Sequence, residues 1–153
     1  MTPALQQAYQ RARYEILTHP PIMLRLGASA APSAAITARQ TRPIRALLGA
    51  HRADCAALIT AANPRSVRLS DDQNRQRHAN LAQWLLNAGL PCLPARSSDA
   101  QGDWVEDGFF IFGLHRARAV ALARQFGQNA LVWVAADGGG ELLLLDDQPS
   151  APV

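Results

Sequence analysis

The sequence predicts an α+β domain: a mainly antiparallel sheet of about five strands with two to four helices packed on it. Three observations predict this class. Residues 70–88 carry a strong helix pattern with a capping signature. The apolar runs Phe109–Leu114, Ala130–Ala136 and Leu142–Leu145 have strand lengths and sit between turn signals. The elements follow one another without the regular strand–helix alternation of a doubly wound fold.

Residues 3–18 read as the first helix, because Leu5, Ala8, Tyr9, Ala12 and Ile16 recur at helical spacing. His19-Pro20-Pro21 stops it. Ile22–Leu26 reads as a short strand, and residues 27–43, rich in Gly, Ala, Ser, Thr and Pro, as a loop or hairpin. A short helix over Pro43–Arg52 would carry Pro in its first turn. Cys55–Ala61 is a strand ended by Asn63-Pro64.

Ser70 opens the clearest helix. Ser70 and Gln73 fit a capping box, and Asp71 and Asp72 suit the positive end of the dipole. Leu81, Trp84, Leu85 and Ala88 form its apolar stripe, and Gly89 ends it. Pro91–Ala95, flanked by prolines, reads as an edge strand. A polar turn over Arg96–Asp103 leads to a strand through Phe109–Phe112. A helix over His115–Phe126 stops at Gly127, and strands Ala130–Ala136 and Glu141–Leu145 form a hairpin around Asp137-Gly138-Gly139-Gly140. Residues 1–147 thus form one expected domain, with 148–153 a loose tail. The expected core is Leu58, Leu81, Trp84, Leu85, Phe110, Phe112, Val120, Leu122 and Val132, with one of Phe110 and Phe112 facing inward.

Of the 153 residues 48% are hydrophobic, enough for a core without disulfide or metal staples. No apolar run approaches the ~20 residues of a membrane span, and Met1–Gln6 lacks the basic and apolar regions of a secretory leader. Cys55 and Cys92, without a CxxC spacing, read as buried thiols in a reducing, cytoplasmic compartment. All fifteen basic residues are Arg, which with abundant Ala suggests a GC-rich bacterial genome. Residues 1–96 carry +8 and residues 97–153 carry −5. A net charge of +3 suits an anionic partner, or reflects a generic solvated surface.

Four polar groupings are candidates for chemistry. Asn63, Arg65 and Ser66 lie in a strand-to-helix turn, where they either hold a polar ligand or fix the turn. Asn74 and His78 share the helical stripe of Leu81 and Leu85, with Arg77 beside it, so polar groups on an inward edge need partners. Those partners are a ligand or a structural network. Trp104, Glu106, Gly108 and Phe110 share one face at period two. Glu106 is there either an Arg-paired carboxylate or a general acid or base. Gln128 and Asn129 are adjacent amides at a strand entrance, suited to reading a ligand or capping a helix. No Walker loop, dinucleotide fingerprint, nucleophile elbow or metal-ligand spacing occurs, so no cofactor or metal is expected.

Thr60-Ala61-x-Asn63-Pro64-x-Ser66, Asn74-x-x-Arg77-x-x-x-Leu81, Trp104-x-Glu106 and Phe126-Gly127-Gln128-Asn129-Ala130 together resemble the bacterial family labelled domain of unknown function 3293, over about residues 55–135. The resemblance implies a small stand-alone bacterial protein and brings no activity. It carries over Asn63, Ser66, Asn74, Arg77, Glu106, Gln128 and Asn129. The chain departs from the pattern at Arg96–Asp99 and at Asp107-Gly108.

The leading expectation is a cleft for an anionic small ligand, phosphate- or nucleotide-like, held by Arg77 and Arg65. Asn63, Ser66, Asn74, Gln128 and Asn129 would read it, with Glu106 as the one acid or base. The alternative is a nucleic-acid or protein-binding module built on segment 39–77, with eight Arg against three acids. A third reading makes the polar set an internal brace.

Overall fold

A computed structural model describes residues 1–27 and 37–145. The expected tail at 148–153, and most of the expected loop at 27–43, lie outside the described residues.

The first helix, α1, spans Pro3–Arg11 rather than 3–18. The chain becomes extended at Ala12, and Arg13–Ile16 forms strand β1. Tyr14 and Ile16 point into the core while Arg13 and Glu15 face outward, so the same apolar residues that fit a helix also fit period two. Strand β2 is reduced to Ile22–Met23. Helix α2 covers Ala38–Ala50, where the sequence suggested a loop to residue 43 and a helix from Pro43. A capping box between Thr37 and Gln40 starts it five residues earlier than Pro43. Pro43 therefore sits inside the helix, on its exposed side.

Strand β3 spans Ala56–Thr60 and is buried along its whole length. Helix α3, Asp71–Ala88, begins at the Ser70–Gln73 capping box and ends at Gly89 (φ 67°). Strand β4 is Cys92–Ser98 and β5 is Val105–Phe112, so Arg96–Ser98 belongs to a strand rather than to the turn. Helix α4 spans Arg116–Gln125, β6 Ala130–Val134 and β7 Gly140–Leu144.

Among the described residues the sheet has seven strands, not about five, in the order β2-β1-β4-β5-β3-β6-β7, each neighbour antiparallel. β1 is one addition the helical reading concealed. It makes β4 an interior strand, not the expected edge. Pro94 is tolerated because its missing N–H falls beyond the end of β1, where its carbonyl accepts from Leu17 N at 2.8 Å. The two edges curl towards each other into a half-barrel. Leu26, just past β2, bridges Gly140 of β7, with Gly27 N donating to Gly140 O at 2.8 Å and Gly140 N to Arg25 O at 3.0 Å.

Both faces of β3 are buried, so helices pack on both sides of the sheet. Ala56, Leu58, Phe110, Phe112, Val132 and Val134 meet Ile44 and Leu48 of α2 on one side. Ala57, Ile59 and Ile111 meet Leu81 and Leu85 of α3 and Ala119 and Leu122 of α4 on the other. Phe110 and Phe112 both face the α2 side, as two-residue spacing requires, and their rings meet edge to face at 5.2 Å. Of the expected core, Trp84 and Val120 are only partly buried and pack at its margin.

Candidate functional site

β3 ends at Thr60 because Asn63 adopts φ 45° and Pro64 follows. Arg65 (φ 56°) and Ser66 (φ 59°) are also left-handed, so three of four consecutive residues occupy a region that side chains disfavour. Such a turn persists only when its surroundings hold it. Asn63, 7% exposed, does much of that holding. Its Oδ1 accepts from Leu69 N and Asn74 Nδ2, both at 2.9 Å, and its backbone N–H donates to Asn74 Oδ1 at 3.0 Å. Its Nδ2 donates to Glu106 Oε1 at 3.0 Å.

Glu106, on β5, is the centre of the cluster. Its Oε1 also accepts from Trp104 Nε1 at 2.8 Å, and its Oε2 accepts from Thr60 Oγ1 at 3.0 Å. Gln128 Nε2 donates to Ala62 O at 3.0 Å and Phe126 O at 3.3 Å, which turns its Oε1 towards Thr60 Oγ1 at 3.1 Å. Thr60 has one hydroxyl proton and two acceptors, Glu106 and Gln128, so it cannot satisfy both. Gly108 makes this approach possible. A Cβ there would lie 2.4 Å from Ile59 O and 2.8 Å from Thr60 Cγ2.

Arg77 has a different place from the one expected. Its Nε donates to Ala61 O at 2.5 Å and its guanidinium also donates to Phe126 O. It ties the end of β3 to the end of α4 through two carbonyls, a cation using its fork on backbone. Arg65 is exposed at the turn, and its backbone N–H donates to Gly127 O at 2.8 Å. Ser66 Oγ accepts from Asn129 Nδ2 at 2.9 Å and lies 2.7 Å from Tyr9 Oη. His78 stands apart from this cluster, stacked on Phe109 with ring centroids 4.5 Å apart.

Beside the cluster lies a cavity of about 310 Å³. Leu5, Ala8 and Ala12 from α1 and its end, with Leu58 and Leu131, supply apolar wall. Tyr9, Thr60, Ser66, Glu106, Gln128 and Asp99 supply the polar part. The cavity shares Leu58 and Tyr14 with the α2 side of the sheet, so α2 and α1 cover neighbouring parts of one face. Burial raises the Tyr9 hydroxyl pKa; its bond to Ser66 opposes the shift and the Glu106 charge adds to it. Burial likewise raises that of Tyr14, reinforced by Tyr9 and Glu106. Tyr14 Oη donates to Tyr9 O at 2.8 Å.

Thus Asn63, Asn74 and Glu106 converge by direct hydrogen bonds, Gln128 approaches Glu106 across the Thr60 hydroxyl, Asn129 is bonded to Ser66 of the cavity wall, and Arg77 lies behind. Sequence reasoning passed over Thr60 as a site residue because it closes an apolar strand. It passed over Tyr9 because that tyrosine fitted an apolar helical stripe. Only the third dimension brings them to Glu106 and Ser66. Trp104 was legible as a face-mate of Glu106, but not as its hydrogen-bond donor.

The chain matched none of the curated proteins and none of the solved structures with which it was compared. Residues 59–131 match the model of a family described as "Protein of unknown function (DUF3293)". That stretch supplies Thr60, Asn63, Asn74, Arg77, Trp104, Glu106 and Gln128, while α1 and Tyr9 lie before it. The segment that builds the Glu106 cluster is thus the part of the chain that is similar to the DUF3293 family.

Proposed function

We propose that the cavity binds a small molecule with an apolar body and a hydrogen-bond-donating head, a hydroxyl or an ammonium, seated on Glu106 and Thr60. The observation that carries this reading is the lining. Among the described residues, two carboxylates, Glu106 and Asp99, face the cavity beside hydroxyl and amide groups, and the lining includes no arginine. Glu106 and Gln128 together offer more acceptor capacity than the single Thr60 proton fills, which favours a donor from the ligand. A volume of about 310 Å³ suits a small metabolite. The ligand's charge therefore differs from the phosphate-like anion suggested by arginine composition, since Arg77 is engaged with two carbonyls. In this reading Glu106 is the group that would exchange a proton with the bound molecule, and Gln128 orients it. The free cysteines are compatible with a reducing, cytoplasmic setting. No described helix is long and apolar enough to cross a membrane.

The alternative binding module at 39–77 draws less support. Arg68 lies over the Trp104 ring, Arg75 pairs with Asp72 and Arg77 is turned inward. Only Arg39, Arg42 and Arg45 share the exposed side of α2.

A thermal-shift screen of small amines, alcohols, phosphates and nucleotides tests the reading, because a ligand of the folded state raises the melting temperature. Stabilisation by members of the first two classes, lost in Glu106→Gln and Thr60→Val, is expected. Stabilisation confined to phosphates and nucleotides would sink it.

A further inference from the structure

At the other end of β3 from the cavity, three side chains of different chemistry come together. Cys55 immediately precedes β3, with Asp54 beside it, and His115 is the N-terminal cap residue of α4. Cys55 and His115 are 60 residues apart in sequence, yet Sγ lies 3.7 Å from Nδ1. One oxygen of Asp54, the sulfur and a ring nitrogen of His115 all lie within 4.8 Å of one another. Their separation from Thr60 is about 16 Å along the strand, at ~3.3 Å per residue.

We infer that Asp54, Cys55 and His115 form a binding site for a zinc-class divalent cation. The donor set of one thiolate, one imidazole and one carboxylate suits a borderline-soft ion rather than magnesium or calcium. The spacing agrees as well. Zinc bonds of ~2.3 Å to sulfur and ~2.0–2.1 Å to nitrogen, at a tetrahedral angle, put the two ligands ~3.6 Å apart. Cys55 and His115 already stand 3.7 Å apart. Asp54 is exposed, and its oxygen lies within 4.8 Å of both other donors, a distance that coordination would shorten. Three protein ligands leave the fourth position of a tetrahedral site to water or an external ligand.

His115 makes no side-chain capping bond to α4, so its ring is not committed to the helix end. The positive end of that helix dipole opposes a bare cation. The carboxylate and the thiolate bring two negative charges, which balance a divalent ion. Coordination releases the thiol proton to solvent and forms the metal–sulfur bond in its place. A nucleophilic thiol is a poorer reading of the same cluster. Cys55 is buried with the Asp54 carboxylate beside it, surroundings that do not activate a thiolate for attack. The bound ion would clamp the start of α4 to the start of β3, beside the Gly113 turn that joins β5 to α4, where Gly113 N already donates to Cys55 O at 2.8 Å. The expectation of no metal followed from sequence spacing, which cannot show ligands from two distant segments.

Zinc chloride alone, titrated into the full chain against a chromophoric chelator, tests the site. One equivalent should bind and raise the melting temperature. Loss of a metal's outer partner already costs ~10–100-fold in affinity, so His115→Ala and Cys55→Ser should each cost at least ~100-fold. His115 is exposed, and its variant should fold whatever happens to the Cys55 variant. Cobalt(II) in place of zinc should give a near-ultraviolet thiolate band that disappears in Cys55→Ser and persists in Cys92→Ser. No binding at micromolar zinc, unchanged affinity in His115→Ala, or a thiolate band that follows Cys92 overturns the inference.

Discussion

Arg77 and Glu106 both serve the Asn63 turn, but they hold it from different sides. Glu106 takes the Asn63 amide and the Thr60 hydroxyl, whereas Arg77 takes the Ala61 and Phe126 carbonyls. Arg77→Met keeps much of the stem's packing and removes charge-assisted bonds, so it should cost about 1.5–3 kcal/mol by denaturant unfolding. Glu106→Gln should not rescue it, because the carboxylate is not what Arg77 bonds. Recovery of most of the lost stability in the double variant would show a direct ion pair instead. Tyr14 offers a second test at this scale. Its pKa is raised in the fold, so its contribution is fully present below the unfolded value of ~10 and is lost as pH rises through the folded one. Tyr14→Phe should cost about 0.5–1.5 kcal/mol at neutral pH, through the lost bond to Tyr9 O, and should flatten the alkaline decline. An unchanged decline in urea titrations above that pH would assign the alkaline loss to other groups.

Elements with local signals were legible, and elements defined by partners were not. α3 could be read because Ser70, Gln73 and Gly89 mark both ends within the segment itself. β1 could not, since four residues supply too short a pattern and Tyr14 and Ile16 serve either period. β4 looked like an edge because prolines flank it, and only the end of β1 explains why Pro94 fits inside the sheet. In α2 the visible proline outweighed the Thr37–Gln40 box. Leu85, buried on α3, should still obey the usual cavity cost, with Leu85→Ala losing ~2–5 kcal/mol. Gly108→Ala tests the β3–β5 contact. The added carbon meets backbone at 2.4 Å, so it should destabilise by at least the ~1–3 kcal/mol of an overpacked core. It should also displace Thr60 from Glu106 and abolish the ligand-induced shift. A Gly108→Ala protein of native stability would mean that β3 and β5 separate easily.

The molecule as a whole divides into a framework and a cover. The framework is the seven-stranded half-barrel with α2 on one side and α3 and α4 on the other, each helix burying side chains of its own. α1 buries none, although Leu5, Ala8 and Tyr9 line the cavity. Two hydrogen bonds, Tyr9 Oη with Ser66 Oγ and Tyr14 Oη to Tyr9 O, connect its C-terminal turn to the rest. Removing residues 1–11 should therefore leave a cooperatively folded protein with the far-ultraviolet signal of the remaining elements. At ~0.5–1.5 kcal/mol for each lost bond, plus some apolar exposure, the stability cost should be a few kcal/mol. Ligand binding should suffer far more, because the deletion takes away one apolar wall and exposes the Glu106 end to water, which weakens its polar contacts. A loss of at least tenfold in affinity, or ~1.4 kcal/mol, is the expected reading by calorimetry. Unfolding on truncation would place α1 in the framework after all, and unchanged affinity would mean that the ligand does not occupy the space beneath it.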